Sequence, residues 1–157
     1  MEDLARLRRE LHKKIQNKLY SLNFCTHEGI VEDFKRTFLW DNFRIETSKS
    51  LDVAGLDKVA IAVESVTTKT VINALLLRFN KYVSPSDVQR CTPKQIDKIK
   101  AIAVYRLGMS NEGMFEYFGK SVNRKTHLFN LTISEADHII KRLERWEAKE
   151  SQKKRSA

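Results

Sequence analysis

Thr26-His27-Glu28-Gly29-Ile30-Val31-Glu32-Asp33-Phe34 and Ser110-Asn111-Glu112-Gly113-Met114-Phe115-Glu116-Tyr117-Phe118 are two versions of one pattern. Glu, Gly, Glu and Phe recur at the same places, and each copy opens on a hydroxyl residue able to cap a helix. Ile30, Val31 and Phe34 in the first copy, and Met114, Phe115 and Phe118 in the second, have the spacing of one helical face. Outward from this pair the likeness continues. Leu19-Tyr20-Ser21-Leu22-Asn23-Phe24 precedes the first copy, and Val104-Tyr105-Arg106-Leu107-Gly108-Met109 precedes the second. Further on, Leu51-Asp52-Val53-Ala54-Gly55-Leu56-Asp57-Lys58-Val59-Ala60 runs to Val63-Glu64. Its counterpart, Leu131-Thr132-Ile133-Ser134-Glu135-Ala136-Asp137-His138-Ile139-Ile140, runs to Leu143-Glu144. Three blocks in one order predict a degenerate tandem repeat.

Each copy reads as three helices. Leu4, Leu7, Leu11, Ile15, Leu19 and Leu22 form one apolar stripe in the first, and Ile96, Ile99, Ile102 and Ala103 form its equivalent in the second. Thr92-Pro93-Lys94-Gln95 is a capping box with Pro at the first helical position. Asn23 and Gly108, which tolerate a left-handed backbone, close the two first helices. The short second helices start behind Thr26 and Ser110. Polar loops follow around Thr47-Ser48-Lys49-Ser50 and Asn123-Arg124-Lys125-Thr126. The third helices begin at Asp52 and Thr132, the latter heading a second capping box with Glu135. Residues 70–83 predict one further apolar helix, and Ser84-Pro85-Ser86-Asp87 a linker. The expected fold is all-α, with two degenerate three-helix repeats packed together with a connecting apolar helix. Its divisions are 1–66, 67–91, 92–150 and a disordered basic tail at 151–157.

Five Gly and two Pro in 157 residues leave little punctuation for an all-β chain, which agrees with the helical reading. The formal net charge of +9 makes polyanions the expected partners. Cys25 and Cys91 form no C-x-x-C pair and read as reduced thiols. No apolar run reaches the ~20 residues of a bilayer span, and the Met-Glu-Asp start leads into a charged amphipathic helix rather than a signal peptide. A soluble cytoplasmic protein with no membrane contact is expected.

Catalytic and metal-binding patterns are missing from the sequence. His12, His27, His127 and His138 show no ligand spacing with one another or with cysteine. The scattered glycines make no phosphate loop, and there is no G-x-S-x-G elbow. Glu28 with Glu32, and Glu112 with Glu116, fall at i,i+4 near helix starts, where they favour the helix dipole. The sequence predicts no enzyme activity, no metal and no cofactor.

Basic residues are the informative set. The expected nucleic-acid contacts are Lys120, Arg124, Lys125, Lys141, Arg142, Arg145, Lys149, Lys153, Lys154 and Arg155. A secondary basic face comprises Arg8, Arg9, Lys13 and Lys14. Such clusters suit phosphate contacts that position without reading sequence. Trp40, Phe43 and His127, placed on loops by this reading, are candidates for stacking on bases.

The run Thr92-Pro93-Lys94-Gln95-Ile96-Asp97-Lys98-Ile99, followed by Leu107-Gly108-Met109-Ser110 and by Leu131-Thr132, Glu135-Ala136 and Ile139-Ile140 with Leu143, resembles the GemA regulatory protein family of Mu-like phages. The first half is similar through Ile15, Leu22-Asn23-Phe24 and residues 51–63, so the likeness spans about residues 7 to 147. Asn23 stands where the family pattern has Gly. A weaker similarity, through Gln95 and the Leu131-Thr132/Glu135-Ala136 signature, reaches the helical C-terminal modules of phage single-strand annealing proteins. The resemblance implies a non-enzymatic phage or prophage regulator in the bacterial cytoplasm. Its partners would be DNA, host transcription machinery or DNA-topology proteins. The alternatives are an interaction adaptor that binds no nucleic acid, and an accessory factor in phage DNA annealing or recombination.

Overall fold

The computed structural model describes residues 2–156, and the fold is all-α. Seven helices follow in order: α1 (Glu2–Ser21), α2 (Glu28–Phe43), α3 (Val53–Glu64), α4 (Thr68–Arg78), α5 (Pro93–Lys100), α6 (Asn111–Val122) and α7 (Ile133–Ser156). The chain divides into two compact units, Met1–Val88 and Gln89–Ala157. The apolar helix expected to connect the two repeats belongs to the first unit, because Val71 and Leu75 of α4 are buried in its core.

In the first unit α1 packs on α3 and α2, and α2 on α4. Leu11, Ile15 and Leu19 of the expected stripe are buried with Ile30, Val31, Phe34, Leu56, Val59 and Val63. Asn23 turns the chain at φ 68°, letting the Phe24 amide reach back to the Leu19 carbonyl at 2.9 Å. The cap of α2 is His27 rather than Thr26, since the imidazole accepts from the Ile30 amide. This helix is also longer than the sequence suggested. Phe38 and Leu39 continue its buried side beyond Phe34, and the helix ends only at Arg44, left-handed at φ 55°. Trp40 and Phe43 thus lie on a helix, not a loop.

The expected helix over 70–83 stops at Arg78, with Phe79 already extended. A buried polar anchor accounts for the early end. Tyr82 donates its hydroxyl to Asp33 at 2.9 Å, and the Lys81 ammonium lies 2.6 Å from the same carboxylate. Losing the Tyr82 hydroxyl would leave the nearly buried Asp33 carboxylate short of a donor, a cost of about 1–3 kcal/mol. α3 and α4 together have the composition of a membrane span, but they bend by 107° at their junction and turn their apolar faces into the unit. No single helix among the described residues is long and apolar enough to cross a membrane.

In the second unit the Thr92 capping box forms as expected, with the Thr92 hydroxyl accepting from the Gln95 amide and the Gln95 carboxamide accepting from the Thr92 amide. After α5 the helix widens into a π-helical segment, Ala101–Arg106. Ile99, Ile102 and Ala103 are buried along this stretch while Tyr105 faces out. Gly108 then turns the chain at φ 67°. The Thr132–Glu135 capping box starts α7, and a short pairing of residues 89–91 with 131–133 ties the beginning of the unit to the beginning of α7. Cys91 is buried there, and burial pushes its thiol pKa up. Residues 151–156, expected as a disordered tail, continue α7 as helix. With no Gly or Pro after Ile133, and with Glu150 and Lys153 pairing at i,i+3, nothing stops the helix earlier.

The two units share an element order: a helix closed by a left-handed residue, a helix with a left-handed cap (Arg44, Asn123), a 3-10 turn, and a side-chain-capped helix.

Candidate nucleic-acid interface on α7

α7 sorts its charges by side. Four of its carboxylates are paired with segments packed against it. Glu135 binds Arg124, Asp137 accepts from Gln95 at 2.7 Å, Glu144 meets Lys98 at 2.7 Å, and Glu147 meets Arg106 at 2.9 Å. Each partner comes from the segments that hold α7 in place. The cations follow a different line. Arg142, Arg145, Lys149 and Lys153 recur at spacings of three and four, which puts them on one helical face. All four are exposed. The face they form is cationic, interrupted by Glu150, which pairs with Lys153 at 3.6 Å and leaves Arg142, Arg145 and Lys149 without a carboxylate partner among the described residues.

Aromatic side chains lie among these cations. Tyr117 of α6 packs against Trp146 with ring centroids 5.6 Å apart, and the Arg142 guanidinium sits 5.5 Å over the Tyr117 ring while donating to Ser121. Burial raises the Tyr117 hydroxyl's pKa, an effect that Arg142 and the Ser121 hydrogen bond oppose. Tyr117, Trp146, Glu150 and the four cations line an open cleft of about 420 Å³. Lys141, Lys154 and Arg155 are exposed elsewhere on α7, and Lys120 and Lys125 are exposed at the end of α6 and in the following loop.

Arg124 departs from the expected role. Its guanidinium grips Glu135 with two hydrogen bonds, at 3.1 and 2.6 Å, and gives a third to the Asn130 carbonyl. It is largely buried and bonds the loop to the start of α7, so it is not free for phosphate. His127 is exposed but tilted against Phe115, with centroids 4.8 Å apart.

The secondary face on α1 divides. Lys14 is tied to Glu64 at 2.8 Å, which holds that carboxyl below its usual pKa, and Lys18 donates to the Glu64 carbonyl. Arg8 donates to the Lys49 carbonyl. Only Arg9 and Lys13 of the four stay exposed without an ion pair.

Sequence spacing missed one cluster. His12 of α1 comes within 3.8 Å of Glu28 and 3.6 Å of Glu32 on α2, ligand types that could hold a metal ion. The Lys35 ammonium, however, lies 3.0 Å from Glu32 and 3.4 Å from the His12 Nδ1. Lys35 already supplies positive charge there, so the group is a polar clasp between α1 and α2. The signal was in helix packing, which no local motif records.

Comparison with protein-family models, with curated proteins and with solved structures found no match.

Proposed function

We propose that this chain is a non-enzymatic nucleic-acid-binding protein that attaches through the α6–α7 face, in the service of a phage-type regulatory role. The observation that carries the proposal is the separation of charge on α7, where carboxylates are spent on intramolecular partners and cations are left outward. Phosphate attraction needs such a row and no particular base. Tyr117 and Trp146 add flat surfaces suited to bases or sugars. The resemblance to GemA-type proteins supports a regulator acting on DNA or on host transcription and topology machinery, and brings no catalytic residue with it.

Exposed apolar groups favour a second reading, that of a protein-interaction adaptor. Ile61, Leu77 and Val83 of the first unit are 66%, 82% and 83% exposed. The two readings separate in a gel-shift assay on the double variant Lys149→Glu/Lys153→Glu. Attachment through α7 predicts a loss of DNA affinity of at least about tenfold, since charge reversal adds repulsion to the lost contacts. Unchanged retention would remove α7 as the interface, and no retention of the unaltered protein at low salt would favour the adaptor.

A further inference from the structure

The first unit carries a second cleft, of about 670 Å³, which lies outside the α7 face. Trp40 near the end of α2 and Phe79 just after α4 supply its aromatic lining, and Arg36, Arg78, Glu46 and Thr47 its polar lining. Trp40 is 40% exposed, high for an indole on a packed helix. Arg44 stands over the Trp40 ring at 5.9 Å but does not line the cleft. The cleft therefore meets a part of the indole that this guanidinium leaves open, while Arg44 holds the ring in place. Arg36 is exposed and has no ion-pair partner among the described residues. Arg78 is paired with Asp41, yet a guanidinium has five N–H donors and one carboxylate does not use them all.

We infer that this cleft binds one unstacked nucleotide of a single nucleic-acid strand, with the base against Trp40 and the phosphate on Arg36. Its volume falls in the range of small-molecule sites, about 300–1,000 Å³, and exceeds what a lone ion needs. With Arg78 already paired to Asp41, Arg36 is the cation left to meet a single phosphodiester, and Arg78 can add a hydrogen bond from an N–H that Asp41 does not take. A duplex edge would call for a longer cationic row, as on α7. A base can enter an aromatic-lined cleft only when it is out of its stack, which selects single strands. Glu46 on the rim can accept from the exocyclic amine of adenine or cytosine. The inference rests on the nucleic-acid reading above, but uses a different unit and different residues.

The two tryptophans fall one in each unit, so two single-tryptophan proteins report the two sites separately. The probe is a single-stranded deoxyadenosine tetranucleotide, titrated into the full chain carrying Trp146→Phe, whose only indole is Trp40. Saturable quenching of Trp40 emission is expected. Adding Arg36→Glu should weaken that response about tenfold, the scale of one lost stacking or phosphate contact. Because Arg36 is exposed, the variant's circular dichroism should match the parent's. No quenching at millimolar tetranucleotide overturns the inference, and so does quenching that Arg36→Glu leaves unchanged. The Trp40→Phe protein, reporting only Trp146, tests the α7 reading in the same titration. A response there without one from Trp40 leaves the α7 reading standing and removes the cleft. A response from Trp40 alone does the reverse.

Discussion

At the scale of single residues, Arg124 shows how a cation can be misread from sequence. Its neighbours Asn123 and Lys125 suggest a polar loop, and nothing local reveals that Glu135, eleven positions on, takes the Nε–Nη2 edge of its guanidinium. The same carboxylate also caps α7 through the Thr132 amide. Arg124→Ala should therefore cost about 2 kcal/mol in denaturant unfolding, because Glu135 would lose its charge partner in a half-buried place. It should leave DNA affinity within about twofold of the parent. A tenfold loss of affinity with unchanged stability would restore it to the phosphate-binding set. Gly108 offers a cleaner case. A Cβ added there would meet nothing within 4 Å, so any penalty for Gly108→Ala is backbone strain at φ 67°. The expected cost is about 1 kcal/mol, read as a shift in the urea midpoint. Gly108→Asn should cost less, since Asn23 already holds φ 68° in the first unit.

Among the elements, those set by local chemistry were legible in advance. Asp52, Thr92, Ser110 and Thr132 each begin a helix as expected, because a cap needs only a side chain and an amide two or three residues away. Element lengths were less legible. α2 runs on to Phe43 because Phe38 and Leu39 find a core, and α4 stops at Arg78 because Tyr82 is required at Asp33. Both reasons lie across the unit, beyond the reach of a sequence window. The π-helical segment is similar: the apolar spacing of Ile99, Ile102 and Ala103 fits an ordinary helix, and the shift in hydrogen bonding appears only in the fold. α7 was mistaken at its end. Its final turns are helical but wholly exposed, which implies a separable arm. Truncation after Glu150 should leave the unfolding midpoint unchanged within about 0.5 kcal/mol, as no buried contact is removed. It also deletes Lys153, the last cation of the face, so the salt slope of DNA binding should become shallower by about 1. A large loss of stability would show that the arm packs on the protein.

For the molecule as a whole, the excess positive charge visible in the sequence says only that polyanions are attracted. The fold adds where the charge is available. On α1 half of the expected basic face, Arg8 and Lys14, is engaged within the first unit, through the Lys49 carbonyl and Glu64. On α7 three exposed cations of the face, Arg142, Arg145 and Lys149, have no carboxylate partner among the described residues, while Glu135, Glu144 and Glu147 are paired with neighbouring segments. Composition could not distinguish these outcomes, since both helices have similar mixtures of Lys, Arg and Glu. The most direct test is fluorescence anisotropy of a labelled DNA duplex with the full chain across a salt series. Attachment by Arg142, Arg145, Lys149 and Lys153 neutralises about four phosphates, which predicts a slope of log affinity against log salt of about −3.5. A response flat in salt, or no binding at low ionic strength, would contradict it.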